Sequence, residues 1–237
     1  MFFFCRSKEI ILDAYTCRPD VFKYAPIASA KSHRPRWVSA LPTHIESGLD
    51  QHPTIKRCPG LNDYFSKGFI IPMWSDLRVR ANGEGLSYQF ADLMSSCGFH
   101  RKELSAGYMT RGNYEHCQIQ TPWALKCNKN IDFLFSKVEW HFDQLGEVYI
   151  PSGVVRYVHQ SSAAVNAFFP ANNEIIEIAQ GQPLIHLLPL SDKKVTLKTH
   201  LVTKPEFDRI AMESRPCAFA NSFLKREKLG AKIQNKV

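Results

Sequence analysis

The sequence predicts a mainly β fold: an antiparallel β-sandwich or jelly-roll-like barrel with short helices and a C-terminal helix. Three observations predict it. Short segments rich in alternating, β-branched and aromatic residues recur between residues 69 and 203. Asn82-Gly83 supplies a hairpin turn signal between two of them. No helix-period stretch separates successive strands, and parallel pairing needs such a crossover.

Residues 1–53 read as a loop-rich segment, punctuated by Pro26, Pro35, Pro42 and Pro53. Within it, an amphipathic turn over residues 34–41 is expected to face Trp37, Val38 and Leu41 inward. Residues 69–80 read as a strand in which Pro72 removes a ladder donor and marks a bulge or an edge. Residues 86–90 complete the hairpin, and further extended segments are expected at 114–120, 123–127, 131–142, 147–150, 163–169, 174–178 and 182–190. Residues 195–203 alternate, with Val195, Leu197 and Leu201 on one face and Thr196, Lys198 and His200 on the other. Pro205 opens a helix over 206–228 that Pro216 breaks or kinks. One domain over 1–237 is expected: the loop-rich segment 1–53, a β-rich core 54–203, and a helix with a basic tail over 204–237.

A chain of 237 residues with 44% hydrophobic and 12% aromatic content is long enough for a substantial core and too apolar for disorder. Its longest apolar runs fall far short of a membrane span, so no membrane partner is expected. Met1 to Arg6 lacks the basic region and the apolar stretch of a secretory signal. The seven cysteines form no C-x-x-C pair and read as reduced thiols. Only Cys117 and Cys127, with His116 beside the first, lie near each other in sequence, too few ligands for a structural zinc. Net charge is +8, and Lys225, Arg226, Lys228, Lys232 and Lys236 face one acid, Glu227, in the tail. Such a tail can meet nucleic acid or an acidic protein surface. A homo-oligomer is compatible with this composition.

The most specific signature is Thr54-Ile-Lys-Arg-Cys-Pro-Gly60 followed by Gly68-Phe-Ile-Ile-Pro-Met-Trp-Ser-Asp76. It resembles an uncharacterised domain-of-unknown-function family of tailed phages, cyanophages and marine bacteria, whose members carry T-I-K-x-C-P, a short spacer and G-F-x-I-P-x-W-x-D. The segment Ala179-Gln-Gly-Gln-Pro-Leu-Ile-His-Leu-Leu-Pro189 is similar to a second stretch of that family, although Ala179, Gln182 and His186 stand where the family has Pro, Thr and Gln. The proline, tryptophan and leucine-proline over 35–42 resemble a third. The resemblance covers most of residues 30–189 and implies the family's fold. It also implies a phage-associated role: a virion component or host-interaction factor, in the host cytoplasm or the virion, with a protein partner.

For catalysis, His141-Phe142-Asp143 is the sharpest pattern. On a strand, His141 and Asp143 point to one face, and His186 or His200 can complete a two-histidine, one-carboxylate iron(II) site. Such a site resembles the 2-oxoglutarate-dependent oxygenases, which also need a basic residue on the strand after the distal histidine. Arg209 lies beyond Pro205, off any continuing strand, and His186 is flanked by Leu184, Ile185, Leu187 and Leu188, as in a buried strand. No G-x-S-x-G elbow or phosphate loop is present in the sequence, and Cys58 reads as a small buried residue. For binding, Trp74, Asp76, Arg78 and Arg80 alternate opposite Met73, Leu77 and Val79. That face either lines a groove for an extended peptide or glycan, or carries cross-strand salt bridges on a wet sheet. The reading from sequence is a binding or structural protein without catalysis, using Trp74, Asp76, Arg78 and Arg80 as a groove and Lys225, Arg226 and Lys228 as an electrostatic contact.

Overall fold

The computed structural model describes residues 9–99, 113–141 and 144–212. The chain opens with β1 (Ile10–Thr16), where Ile10, Leu12, Ala14 and Thr16 are buried and the residues between them are partly exposed. α1 (Pro19–Tyr24) follows, with proline in its first turn where the missing N–H costs nothing. Then come β2 (Ala28–Ser29), α2 (Arg36–Ala40), the exposed hairpin of β3 (His44–Ser47) and β4 (Asp50–Pro53), and α3 (Pro59–Ser66). β5 (Phe69–Pro72) is buried throughout, whereas β6 (Leu77–Ala81) alternates buried and exposed. β7 (Leu86–Phe90) closes the hairpin that Asn82-Gly83 predicts: Asn82 Oδ1 accepts the Glu84 and Gly85 N–H groups, and Gly83 has φ of 84°.

The rest is strand-rich: β8 (Cys97–Gly98), β9 (Tyr114–Ile119), β10 (Ala124–Cys127), β11 (Phe133–Lys137), β12 (Gly153–Val155), β13 (Val165–Pro170), β14 (Ile175–Ile178), β15 (Pro183–Pro189) and β16 (Val195–Leu201). α4 (Lys204–Met212) begins beside Pro205, as the sequence indicates, and the part of that helix expected beyond residue 212 lies outside the described residues. The strands form sheets ordered β10-β1-β16, β12-β11-β15-β5-β2, β13-β9-β8 and β14-β6-β7, besides the β3-β4 hairpin. Every pairing is antiparallel except β1 with β16. The arrangement is sandwich-like, without a closed barrel among the described residues. One apolar cluster joins Leu12, Val79, Ile119, Phe133, Val165 and Leu187, one residue from each of six strands in the four larger sheets.

Three expectations about where strands run are corrected. The first fifty-three residues are not simply loop-rich, because β1 sits between two partners in its sheet; its period-two alternation drives three apolar side chains into the core. Residues 69–80 are not one strand, since the chain leaves β5 at Pro72 and turns through residues 73–76 before β6. Residues 131–142 shrink to β11, and Trp140, at φ of 71°, breaks the extended path, so His141 stands on no strand face.

The first half of the signature is a clamp. Lys56 Nζ donates to the Ser39 and Leu41 carbonyls at 3.0 and 2.8 Å, the end of α2. Asn62 Nδ2 donates to Lys56 O, and Arg34 Nη2 donates to Asn62 Oδ1 at 2.7 Å. Val38, Leu61 and Phe65 pack beneath. Cys58 is the residue before α3 and is exposed, because Pro59 starts the helix and leaves the thiol outside it; this corrects the expectation of burial.

Candidate functional site

Trp74-Ser75-Asp76 does not lie on a strand: Trp74 and Ser75 turn to the loop after β7, and Asp76 turns to the loop before β15. Trp74 is 1% exposed, in the core, and its indole N–H donates to Ser95 Oγ at 2.8 Å. It is therefore not a groove residue; the turn at 73–76 points its ring inward, against the Phe90 ring. Ser95 Oγ in turn donates to Asp92 Oδ2 at 2.6 Å, and Asp92 Oδ1 accepts the Met94 and Ser95 N–H groups and Arg18 Nη1. Arg18 is nearly buried and also pairs with Asp20. Partial burial pushes the Asp92 carboxyl up, but hydrogen bonds from Ser95, Ser75 and Met94, and the Arg18 charge, outweigh it and hold the group at about 2. These bonds tie the loop after β7 to the segment before α1.

The same segment ties down a second loop. Asp76 Oδ1 accepts the Gln180 N–H at 2.7 Å, Gln180 Nε2 donates to Trp74 O, and Met73 exchanges backbone bonds with Gly181 and Gln182. Between the two loops, at the end of the β14-β6-β7 sheet, opens a groove of about 600 Å³. Its walls include Asp76, Arg78, Gln89, Phe90, Glu177 and Gln182. The strand register sets Glu177, Arg78 and Gln89 side by side in one exposed row, and Ile175, Arg80 and Ser87 in the next. Arg78 Nε donates to Glu177 Oε1 at 2.8 Å, with the side chains 65% and 55% exposed. This is the wet-sheet salt bridge that alternation allows, worth less than about 1 kcal/mol. Arg80 has no ion-pair partner among the described residues.

Gln182 is the residue the sequence did not single out. Its Oε1 accepts the Ala179 N–H at 3.1 Å, which fixes the orientation of the amide, because an N–H needs an oxygen. Its Nε2 is buried in the groove wall with no acceptor among the described residues. A buried donor without a partner costs about 1–3 kcal/mol. The signal in sequence was its place within the Ala179–Pro189 segment, directly after the Gly181 turn, where φ is 82°.

The described iron-site candidates form no cluster. His186 is 1% exposed on β15; its Nε2–H donates to Lys67 O at 2.8 Å, and its ring meets Tyr64 edge-on. Burial pulls its pKa down despite that hydrogen bond, which favours the neutral ring. His200 Nε2 lies 2.7 Å from Asp13 Oδ1, and its ring stacks on Tyr15 across the parallel β1–β16 pair. His141 neighbours His33, whose imidazole is pulled down by burial and, less strongly, by the His141 charge. Among the described residues no three His, Cys, Asp or Glu side chains converge. Asp143, Lys225, Arg226 and Lys228 lie outside the described residues. No helix of the described residues is long and apolar enough to cross a membrane. Comparison with known proteins finds no family model and no curated sequence that matches the chain.

Proposed function

We propose that this is a phage-associated binding protein, a virion component or host-interaction factor, that docks an extended acidic segment of a protein partner in the groove at the end of the β14-β6-β7 sheet. The observation that carries the reading is the Gln182 amide in the groove wall, whose Nε2 is buried with no acceptor among the described residues, so that a small shift of the wall would offer it to a ligand. A peptide carbonyl is the acceptor that such a donor needs. Arg80, one exposed position along β6 from Arg78, supplies a cation for an acidic side chain of the same segment. The phage setting rests on the resemblance of the Thr54–Asp76 signature, and the basic tail with Lys225, Arg226 and Lys228 adds long-range attraction for an acidic partner.

The test uses fluorescent decapeptides, one set rich in Glu and one rich in Lys, titrated into the whole chain. The acidic set binds, more weakly as salt rises, and Arg80→Glu and Gln182→Leu each reduce the affinity about tenfold. Equal binding of both sets, or variants that bind as the parent does, contradicts it. The runner-up is an iron(II) oxygenase that holds metal through His141, Asp143 and His186 or His200. Elemental analysis of protein expressed with iron separates the two. The binding reading expects no near-stoichiometric iron; such iron, lost in His141→Ala, replaces it with the oxygenase.

A further inference from the structure

A second groove, of about 480 Å³, shares no residue with the first. Gln118, Gln120, Gln160, Ser162 and Asn166 supply its polar lining, and no Asp, Glu, Lys or Arg lines it among the described residues. The strand pattern assembles it. Gln118 faces outward from β9 and lies opposite Asn166 on β13 and Gly98 on β8. A Cβ on Gly98 would stand 3.3 Å from Gln120 Nε2 and 3.5 Å from Gln118 Oε1, so the glycine leaves room for the two amides above it.

The amides run in one direction. Gln120 Nε2 donates to Gln118 Oε1 at 2.7 Å, and Gln118 Nε2 donates to Asn166 Oδ1 at 3.2 Å, an oxygen that also faces His116 Nε2. This order leaves an acceptor at one end, Gln120 Oε1, and a donor at the other, Asn166 Nδ2, both without partners among the described residues. The Gln160 side chain adds a donor and an acceptor without partners among the described residues, and Ser162 Oγ accepts the Ala164 N–H, which keeps its proton for a ligand. Pro151 and Val155 form an apolar flank.

We propose that this groove binds a neutral saccharide. A sugar hydroxyl donates and accepts at one atom, so neighbouring hydroxyls can take a proton from Asn166 Nδ2 and give one to Gln120 Oε1, while the C–H face lies on the apolar flank. Among the described residues an ionic ligand finds no counter-charge here, and a purely apolar one leaves the amide ends unmade.

Saturation-transfer NMR and calorimetry of the whole chain with lactose, maltose, cellobiose and diacetylchitobiose test this. At least one of the four binds, with an affinity unchanged by salt and lowered about tenfold by Gln120→Ala and by Asn166→Asp, the loss of one hydrogen bond. Both positions are exposed, so thermal unfolding checks that the variants stay folded. Arg80→Glu leaves sugar binding intact, which separates this groove from the peptide groove. Absence of transfer to all four sugars overturns the proposal, as does a signal that survives both substitutions.

Discussion

Asp92 shows how a residue far from any recognisable motif organises the candidate site. Its carboxyl, held at about 2 against an ordinary 3.8, favours the folded state once both states are ionised. That stability is present above pH 4 and is lost as pH falls from about 4 towards 2, where the folded group also takes its proton. With solvent screening of a partly exposed group, the contribution is about 1 kcal/mol. Urea midpoints measured between pH 5 and pH 2.5 will fall for the parent, and the fall will be shallower in Asp92→Asn, which starts lower. Identical pH slopes would remove Asp92 from the account. Sequence hid this role because the partners Arg18, Ser75 and Ser95 are distant from one another along the chain. Trp74 was hidden for a related reason: strand alternation predicts an outward ring, and the turn at 73–76 resets the phase.

At the scale of elements, the β6–β7 hairpin, β13, β14 and β16 were legible from Asn-Gly and period-two patterns, because each keeps one face on the core, and β15 from an apolar run buried on both faces. β1 carries the same alternation and was obscured by prolines that punctuate only the residues after it. His141 was assigned to a strand that ends early, since nothing in Glu139-Trp140 announces a left-handed residue. The contact between β5 and β15 makes a sharper prediction. Gly68 has φ of 83°, and a Cβ there would lie 2.4 Å from Leu187 O and 3.1 Å from His186 Nε2. Backbone cannot move aside as a flexible side chain can, so the strand pair itself must shift. Gly68→Ala will cost about 2–4 kcal/mol, from left-handed strain and the backbone clash together. Calorimetry reads this as a lowered Tm; an unchanged Tm would mean that β5 and β15 are not packed as described.

At the scale of the whole molecule, the Thr54–Asp76 signature reads as scaffolding. Thr54–Gly60 clamps α2 to α3, Gly68 lets β5 approach β15, and Trp74-Ser75-Asp76 pins the two loops that frame the groove. In the proposed reading, recognition falls to residues outside the signature: Arg78, Gln89 and Gln182 in the groove and Arg80 beside it. That division explains why the fold class was legible and the site only partly so. Fold-specifying residues repeat with the period of the strands, whereas Gln182 gains its meaning from one hydrogen bond to Ala179 that fixes the amide. The most direct measurement is photo-crosslinking from a benzoylphenylalanine placed at Gln89, in the groove, with the same group at Ser47 on the β3–β4 hairpin as control. The account predicts one defined protein adduct from position 89, mapped to an acidic segment of the partner and lost on Arg80→Glu. Adducts that are the same from both positions, or that persist after Arg80→Glu, would contradict it.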